Sequence, residues 1–262
     1  LMIAVLTVLS QLTGMKGRVE VTQGAAFDAD AVTVTRQGPW HPLNRLRQVD
    51  FVQGDIEVDY AAGLRRGHTR SRLLLNGGDT IVGDNIAFSS NGYRFYTTSN
   101  KGFAAVVHWY AKDGSVDRGA IHFPSYPLHD WKQTNEWQAP SGEQLGFRLI
   151  VDTELDSKHS WRLQGVDDGR LEVTLPDKTR HTLGPGDVIE LKRGVLEFEA
   201  LSMWMGYTVF YDAFLAWFFA AALVGVAGLG WHYYLKMSSP RKSRAYTGET
   251  VARGRAVSTI SS

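Results

Sequence analysis

Residues 213–235 read AFLAWFFAAALVGVAGLGWHYYL, 23 consecutive positions without a formal charge. At about 1.5 Å of rise per residue, such a run crosses the roughly 30 Å hydrocarbon core of a bilayer. Aromatic residues sit near both ends of the run: Tyr207, Phe210, Tyr211 and Trp217 on one side, Trp231, Tyr233 and Tyr234 on the other. Amphipathic rings gather in this way at lipid headgroups. After the run come Lys236, Arg241, Lys242, Arg244, Arg253 and Arg255 against one acid, Glu249. The positive-inside rule therefore places the C-terminus in the cytoplasm. Of the chain's 28 basic and 27 acidic residues this tail takes six and one, so the remainder carries about −4. A net-acidic middle is expected on the far side of the membrane.

The chain opens with LMIAVLTVLSQLTG, starting at Leu1. This stretch reads as the outer end of a transmembrane helix whose beginning is missing. A cleaved signal peptide is the competing reading, and it lacks a charged leader and a small-residue cleavage site. The expected organisation is thus a helix end over 1–14, a β domain over 15–205, a C-terminal transmembrane helix over 206–237 and a basic cytoplasmic tail over 238–262.

The middle alternates with a period of two. Residues 18–22 read RVEVT and 31–35 AVTVT, while 49–60 read VDFVQGDIEVDY with Gly54-Asp55 as a bulge or turn. Further short apolar runs cover 71–75, 86–89, 93–98, 103–110, 147–151, 171–175, 188–191 and 195–201. Asn76-Gly77, Asn91-Gly92, Asp113-Gly114, Asp168-Gly169 and Gly184-Pro-Gly-Asp187 separate them, and Asn-Gly and Asp-Gly pairs supply the positive φ of tight hairpins. The expected fold class is an all-β extracytoplasmic domain, an antiparallel sandwich or open barrel, anchored by transmembrane helices at both ends. Residues 124–140, with Pro124, Pro127 and Pro140, read as an irregular loop. It either packs over one end of the sheet or presents Trp131 and Trp137 to a partner.

Composition removes several functions. A net charge of +1 over 262 residues excludes nucleic-acid binding driven by overall charge. The absence of cysteine excludes disulfides, Cys-ligated zinc, iron–sulfur clusters and covalent c-haem attachment. His41, His68, His108, His122, His129, His159, His181 and His232 form no recognised ligand spacing, although His122 and His129 flank the proline-rich loop. Asp152, Glu154 and Asp156 alternate on one strand face but lack the glycine and terminal glutamate of a calcium loop, so they read as a solvated edge. No catalytic signature is present, and neither a metal site nor a firmly bound cofactor is expected.

Three sets of residues remain as candidates. Arg65, Arg66, Arg70 and Arg72, with His68, form the densest charge cluster in the middle domain. Such a cluster either blunts a sheet edge or docks an acidic partner or anionic lipid. In the apolar run, Ala221, Gly225, Gly228 and Gly230 make a small-residue seam suited to close helix packing. His232 stands near the cytoplasmic end of the run, as an interfacial ring or an axial haem ligand.

A terminal apolar helix feeding Gly17-x-Val19-x-Val21-x-x-Gly24, a strand bearing Phe51 and Tyr60, and the stretch DNIAFSSNGYRFYTTSNKG over 84–102 form a pattern. It resembles the periplasmic region of the ResB-like cytochrome c biogenesis proteins. Asn85, Phe88, Gly92, Tyr93, Phe95 and Tyr96 match that family's turn and Gly-aromatic strand, with Ala87 in place of its proline. Residues 206–235 resemble its last helix, entered through Tyr211-Asp212-Ala213, again without proline. The resemblance implies a bacterial inner-membrane protein with its main domain in the periplasm. It also implies a partner membrane protein whose histidines handle haem, and contact with c-type cytochromes. The expected function is a non-catalytic accessory subunit that stabilises or assembles a membrane redox or photosynthetic complex. Haem or pigment would be contacted through other membrane subunits, and no nucleic acid is involved. The alternative is a genuine cytochrome c maturation factor.

Overall fold

The computed structural model describes residues 2–140, 142–151, 158–165 and 169–238. Asp152, Glu154 and Asp156, the turn residues Asp167 and Asp168, and the basic tail after Ser238 lie outside the described residues. The chain divides into two units after Ala216. The first begins with α1 (Met2–Thr13), then β1 (Met15–Thr22), β2 (Thr33–Gln37), β3 (Val52–Ala61), β4 (Arg65–Leu75) and β5 (Gly78–Gly83). It continues through β6 (Phe88–Ser90), β7 (Tyr93–Ala111), β8 (Val116–His122), β9 (Thr134–Gln138) and β10 (Gln144–Val151). Next come β11 (Trp161–Leu163), β12 (Gly169–Thr174), β13 (Arg180–Leu183), β14 (Val188–Leu191) and β15 (Gly194–Tyr211). The last helix, α2 (Leu215–Ser238), supplies the second unit.

Two long strands form the spine. β7 has 19 residues and β15 has 18, and they pair antiparallel from Tyr93↔Tyr211 to Ala111↔Gly194. On its other edge β15 binds β1 along 204–211 and β14 along 194–197. β7 binds β6 and β8, and β2 closes the far edge of β1. Two four-stranded sheets, in the orders β11-β3-β4-β5 and β13-β12-β10-β9, pack on this seven-stranded sheet. All pairings are antiparallel, so the body is all-β.

The first small sheet covers the half of the spine that leads to the helices. Phe51 there meets Phe88 and Phe95 at 5.5 and 5.6 Å between ring centroids. Tyr207 donates to Gln53 Oε1 (2.5 Å), the Gln53 amide donates to Ser71 Oγ (2.8 Å), and Ser71 donates back to Tyr207 (2.6 Å). This closed ring leaves none of the three buried groups orphaned. The second small sheet covers the other half, with Trp137 edge-on to Trp109 at 6.3 Å.

Several expected boundaries shift. The runs over 93–98 and 103–110 belong to one strand, because Thr98-Ser99-Asn100 forms a bulge opposite Gly206 and Lys101 and Gly102 pair with Met205 and Trp204. Gly206 is required there, since a Cβ would lie 2.8 Å from Thr98 Oγ1. β15 also runs to Tyr211, past the expected boundary at 205, and α2 begins at Leu215. The predicted bulge at Gly54-Asp55 is present. Gly184-Pro-Gly-Asp187, expected as a hairpin, instead carries the chain from β13 in one sheet to β14 in another. Within the proline-rich segment, Thr134–Gln138 is strand β9, paired with β10.

The bulge turns Lys101 inward, where it is 1% exposed with its ammonium 5.6 Å from the Tyr60 ring centre. No ion pair reaches it among the described residues. Burial, reinforced by Arg66 and opposed by Asp84, lowers its pKa from 10.5 to about 8. Below pH 8 the folded state must hold a charge that water would solvate better, and this cost disappears as pH rises through the unfolded-state value. Lys101→Met is therefore expected to stabilise the protein by on the order of 3 kcal/mol at pH 7. The gap to wild type should narrow from pH 8 upward, as read by chemical denaturation of the full chain in detergent. A pH-independent gap would refute it.

Candidate functional site at the helix junction

The register of β1 on β15 brings the two helix connections together. Met15, two residues after the end of α1, pairs with Tyr211, four residues before α2. Polar contacts stitch this corner. Ser10 donates to Asp212 Oδ2 (2.9 Å), and Asp212 Oδ1 accepts the Phe214 N–H (2.9 Å), turning the chain towards α2.

The final carbonyls of a helix have no partners within it. Here a loop from the body supplies them. Trp40 N donates to Leu12 O (2.9 Å), Gly38 N donates to Gly14 O (2.8 Å), and His41 Nδ1 lies 2.9 Å from Thr13 O. Gly38 is needed for that approach, as a Cβ would lie 2.2 Å from Leu12 O. A carbonyl only accepts, so Nδ1 carries the proton and Nε2 accepts from the Tyr93 hydroxyl at 2.7 Å. Tyr93 is fully buried, and burial, aided by neighbouring Tyr211, pushes its pKa up to about 12. Arg45 donates to the Tyr211 hydroxyl (3.2 Å). Gly92, at φ 87°, packs under the Tyr211 ring, where a Cβ would come within 2.9 Å. The Gly-aromatic stretch 92–96 therefore builds the wall that holds α1.

The arginine cluster lies on β4, which pairs with β3 around Arg65, Arg66 and Arg70 but with β5 only from Arg70 onward, so Arg65 and Arg66 sit where β4 is an edge and Arg70 and Arg72 where it is interior. Its charges meet acids from neighbouring strands. Arg66 pairs with Asp84 (3.2 Å), Arg70 with Glu57 (3.4 Å) and Asp59 (3.2 Å), and Arg72 with Asp79 (3.5 Å). Arg65 donates to the Ala62 carbonyl (3.4 Å). Arg162, from β11, adds a 2.7 Å contact to Asp59, and its hydrogen bond holds that carboxyl below its ordinary pKa. Such exposed pairs contribute little stability each, but they balance the cluster's charge.

The two tryptophans separate. Trp137 packs on the core, whereas Trp131 is 76% exposed beside His129. His122 is held by Glu20 (2.9 Å) and Thr22 (2.7 Å) and stacks on Trp204; His108 is held by Glu199 (2.8 Å). Among the described residues no three His, Cys, Asp or Glu side chains converge on a metal-sized site.

α2 has 24 residues and is long and apolar enough to cross a membrane. On a helix Ala221, Gly225 and Gly228 share one stripe, while Gly230 falls on the opposite side, which removes it from the seam. Ala221 is buried, and a Cβ at Gly225 or Gly228 would meet nothing. His232 lies beside Tyr233, at 6.0 Å between rings. No family model, curated protein or solved structure matches the chain.

Residue patterns in the sequence pointed to neither His41 nor Lys101. Both are single polar residues whose partners come from distant strands, so no local spacing marks them. His41→Ala leaves Tyr93 and the Thr13 carbonyl without their partner. It should cost about 2–3 kcal/mol and speed amide exchange over residues 10–15. Trp40→Ala, which keeps the backbone bond to Leu12, should stay within about 0.5 kcal/mol of wild type.

Proposed function

We propose that this chain is a non-catalytic, membrane-anchored accessory subunit that stabilises or assembles a membrane complex handling c-type cytochromes. The observation that carries the reading is the corner where Met15 pairs with Tyr211 and the ends of two apolar segments join the β body side by side. α1 supports a membrane setting, since the Thr7 and Thr13 hydroxyls both return to carbonyls four residues back and hide their polarity. In this reading α1 lies at the membrane and α2 crosses the bilayer. The acidic body then faces the periplasm and the basic tail the cytoplasm of a bacterial inner membrane.

Gly225 and Gly228, in line with the buried Ala221, offer a neighbouring transmembrane helix a surface of small residues for close approach. Trp131 and Leu128, 76% and 68% exposed on the loop before β9, offer a partner apolar area outside the membrane. The cytochrome assignment rests on the resemblance of 84–102 and 206–235 to the ResB-like family. Any haem or pigment belongs to the partner subunits.

Purification at endogenous levels in mild detergent is the test. The chain should co-migrate with other membrane subunits in a fraction showing haem or chlorophyll absorption; a protein migrating alone overturns the proposal. Gly225→Leu with Gly228→Leu should lower that co-purification several-fold while leaving membrane insertion intact. Deleting the gene should remove one complex, whereas loss of all c-type cytochromes would reveal a maturation factor.

A further inference from the structure

One face of the spine next to the helix junction carries basic residues that no acid answers. Arg36, Lys16, Phe210 and Arg94 are consecutive cross-strand neighbours on β2, β1, β15 and β7, so their side chains share one face of the sheet. Arg18 and Tyr96 follow two residues further along on the same face. With strands about 4.8 Å apart, the row is roughly 14 Å wide. Among the described residues none of Lys16, Arg18, Arg36 and Arg94 makes an ion pair. Arg36 donates to Gln11 Oε1 (3.1 Å), and the Lys16 ammonium lies 5.3 Å over the Phe210 ring. The next acid along β1, Glu20, is engaged by His122 (2.9 Å), and Asp212 at the corner accepts from Ser10 and Phe214. The face is therefore net positive, with Tyr96 and Phe210 about 38% and 37% exposed between the charges.

Its position selects the occupant. Lys16 follows the end of α1 by three residues, about 10 Å of extended chain. Headgroup layers are roughly 5–7 Å thick, and long basic side chains extend their charge towards them. Trp40, 65% exposed and bonded through its backbone to Leu12 at the end of α1, adds an interfacial ring at the same level.

We infer that Lys16, Arg18, Arg36 and Arg94, interleaved with Phe210 and Tyr96, bind the headgroups of anionic phospholipids in the leaflet that the β body faces. The inference rests on the reading of α1 and α2 as membrane anchors. It accounts for four cations without ion pairs on a body that is otherwise net acidic, whereas three of the four arginines of the β4 cluster are paired with acids.

The test uses the full chain reconstituted in vesicles of phosphatidylcholine and phosphatidylglycerol. After mild detergent extraction, native mass spectrometry counts the lipids retained. Phosphatidylglycerol should be enriched over the vesicle composition, and less so when extraction is done at high salt. Arg94→Gln alone should lower the enrichment up to about five-fold. Substituting Gln at all four basic positions should abolish it, whereas Arg70→Gln with Arg72→Gln should leave it unchanged. Equal retention of both lipids by wild type overturns the inference, as does an equal loss in the β4 double variant. Alkaline carbonate washing reports the anchors separately. A chain that resists washing yet shows no lipid preference defeats only this inference, and a chain that washes off defeats the anchoring on which it rests.

Discussion

The antiparallel register of β15 against β1 and β7 is the constraint on which the rest of the molecule depends. It buries Tyr207, Val209 and Tyr211 on one face and leaves Thr208 and Phe210 on the other. A slip of one residue would drive Phe210 and Lys16 inward and expel three core side chains, two of them tyrosines with buried hydroxyl bonds. Burial of that face therefore fixes the corner at which Met15 meets Tyr211, and with it the place where both helices join the body.

His41 then converts proximity into rigidity. Each of its nitrogens has one partner, Thr13 on the helix side and Tyr93 on the sheet side, so the ring is a polar strut between the two. The Gly38 and Gly92 approaches allow the loop and the Tyr211 ring to close around it. A lone α1 of 12 residues would be marginal in water, and its last turn is held by bonds that only the folded body supplies.

Much of this was legible from the residues. The α2 run, the alternation of β1, the bulge in β3 and the Asn91-Gly92 hairpin each follow from local patterns, since each is decided by neighbours in sequence. Strands β5, β8, β9, β11 and β13 leave no clear pattern in the sequence, because they lie at sheet edges or are very short. Val116–His122, for example, is exposed over its first five positions, so no apolar alternation records it. β7 reads as two shorter runs because Ser99-Asn100-Lys101-Gly102 has the composition of a turn, and only the register against β15 makes Thr98–Asn100 a bulge opposite Gly206. Fold class survives such errors; the continuity of the spine does not.

Charge is where adjacency in sequence misleads most. Five basic or titratable residues within 65–72 look like a patch, but His68, Arg70 and Arg72 alternate with buried Thr69 and Ser71, and acids from β3, β5 and the Asp84 turn pair with Arg66, Arg70 and Arg72. The uncompensated face is assembled from four strands, with no two of its cations closer in sequence than Lys16 and Arg18. Neutralisation is decided across strands, at about 5 Å, while a sequence displays only spacing along them. A net charge of +1 for the whole chain therefore conceals uneven pairing across the strands: Arg66, Arg70 and Arg72 of β4 meet acids, while Lys16, Arg18, Arg36 and Arg94 on β1, β2 and β7 meet none among the described residues.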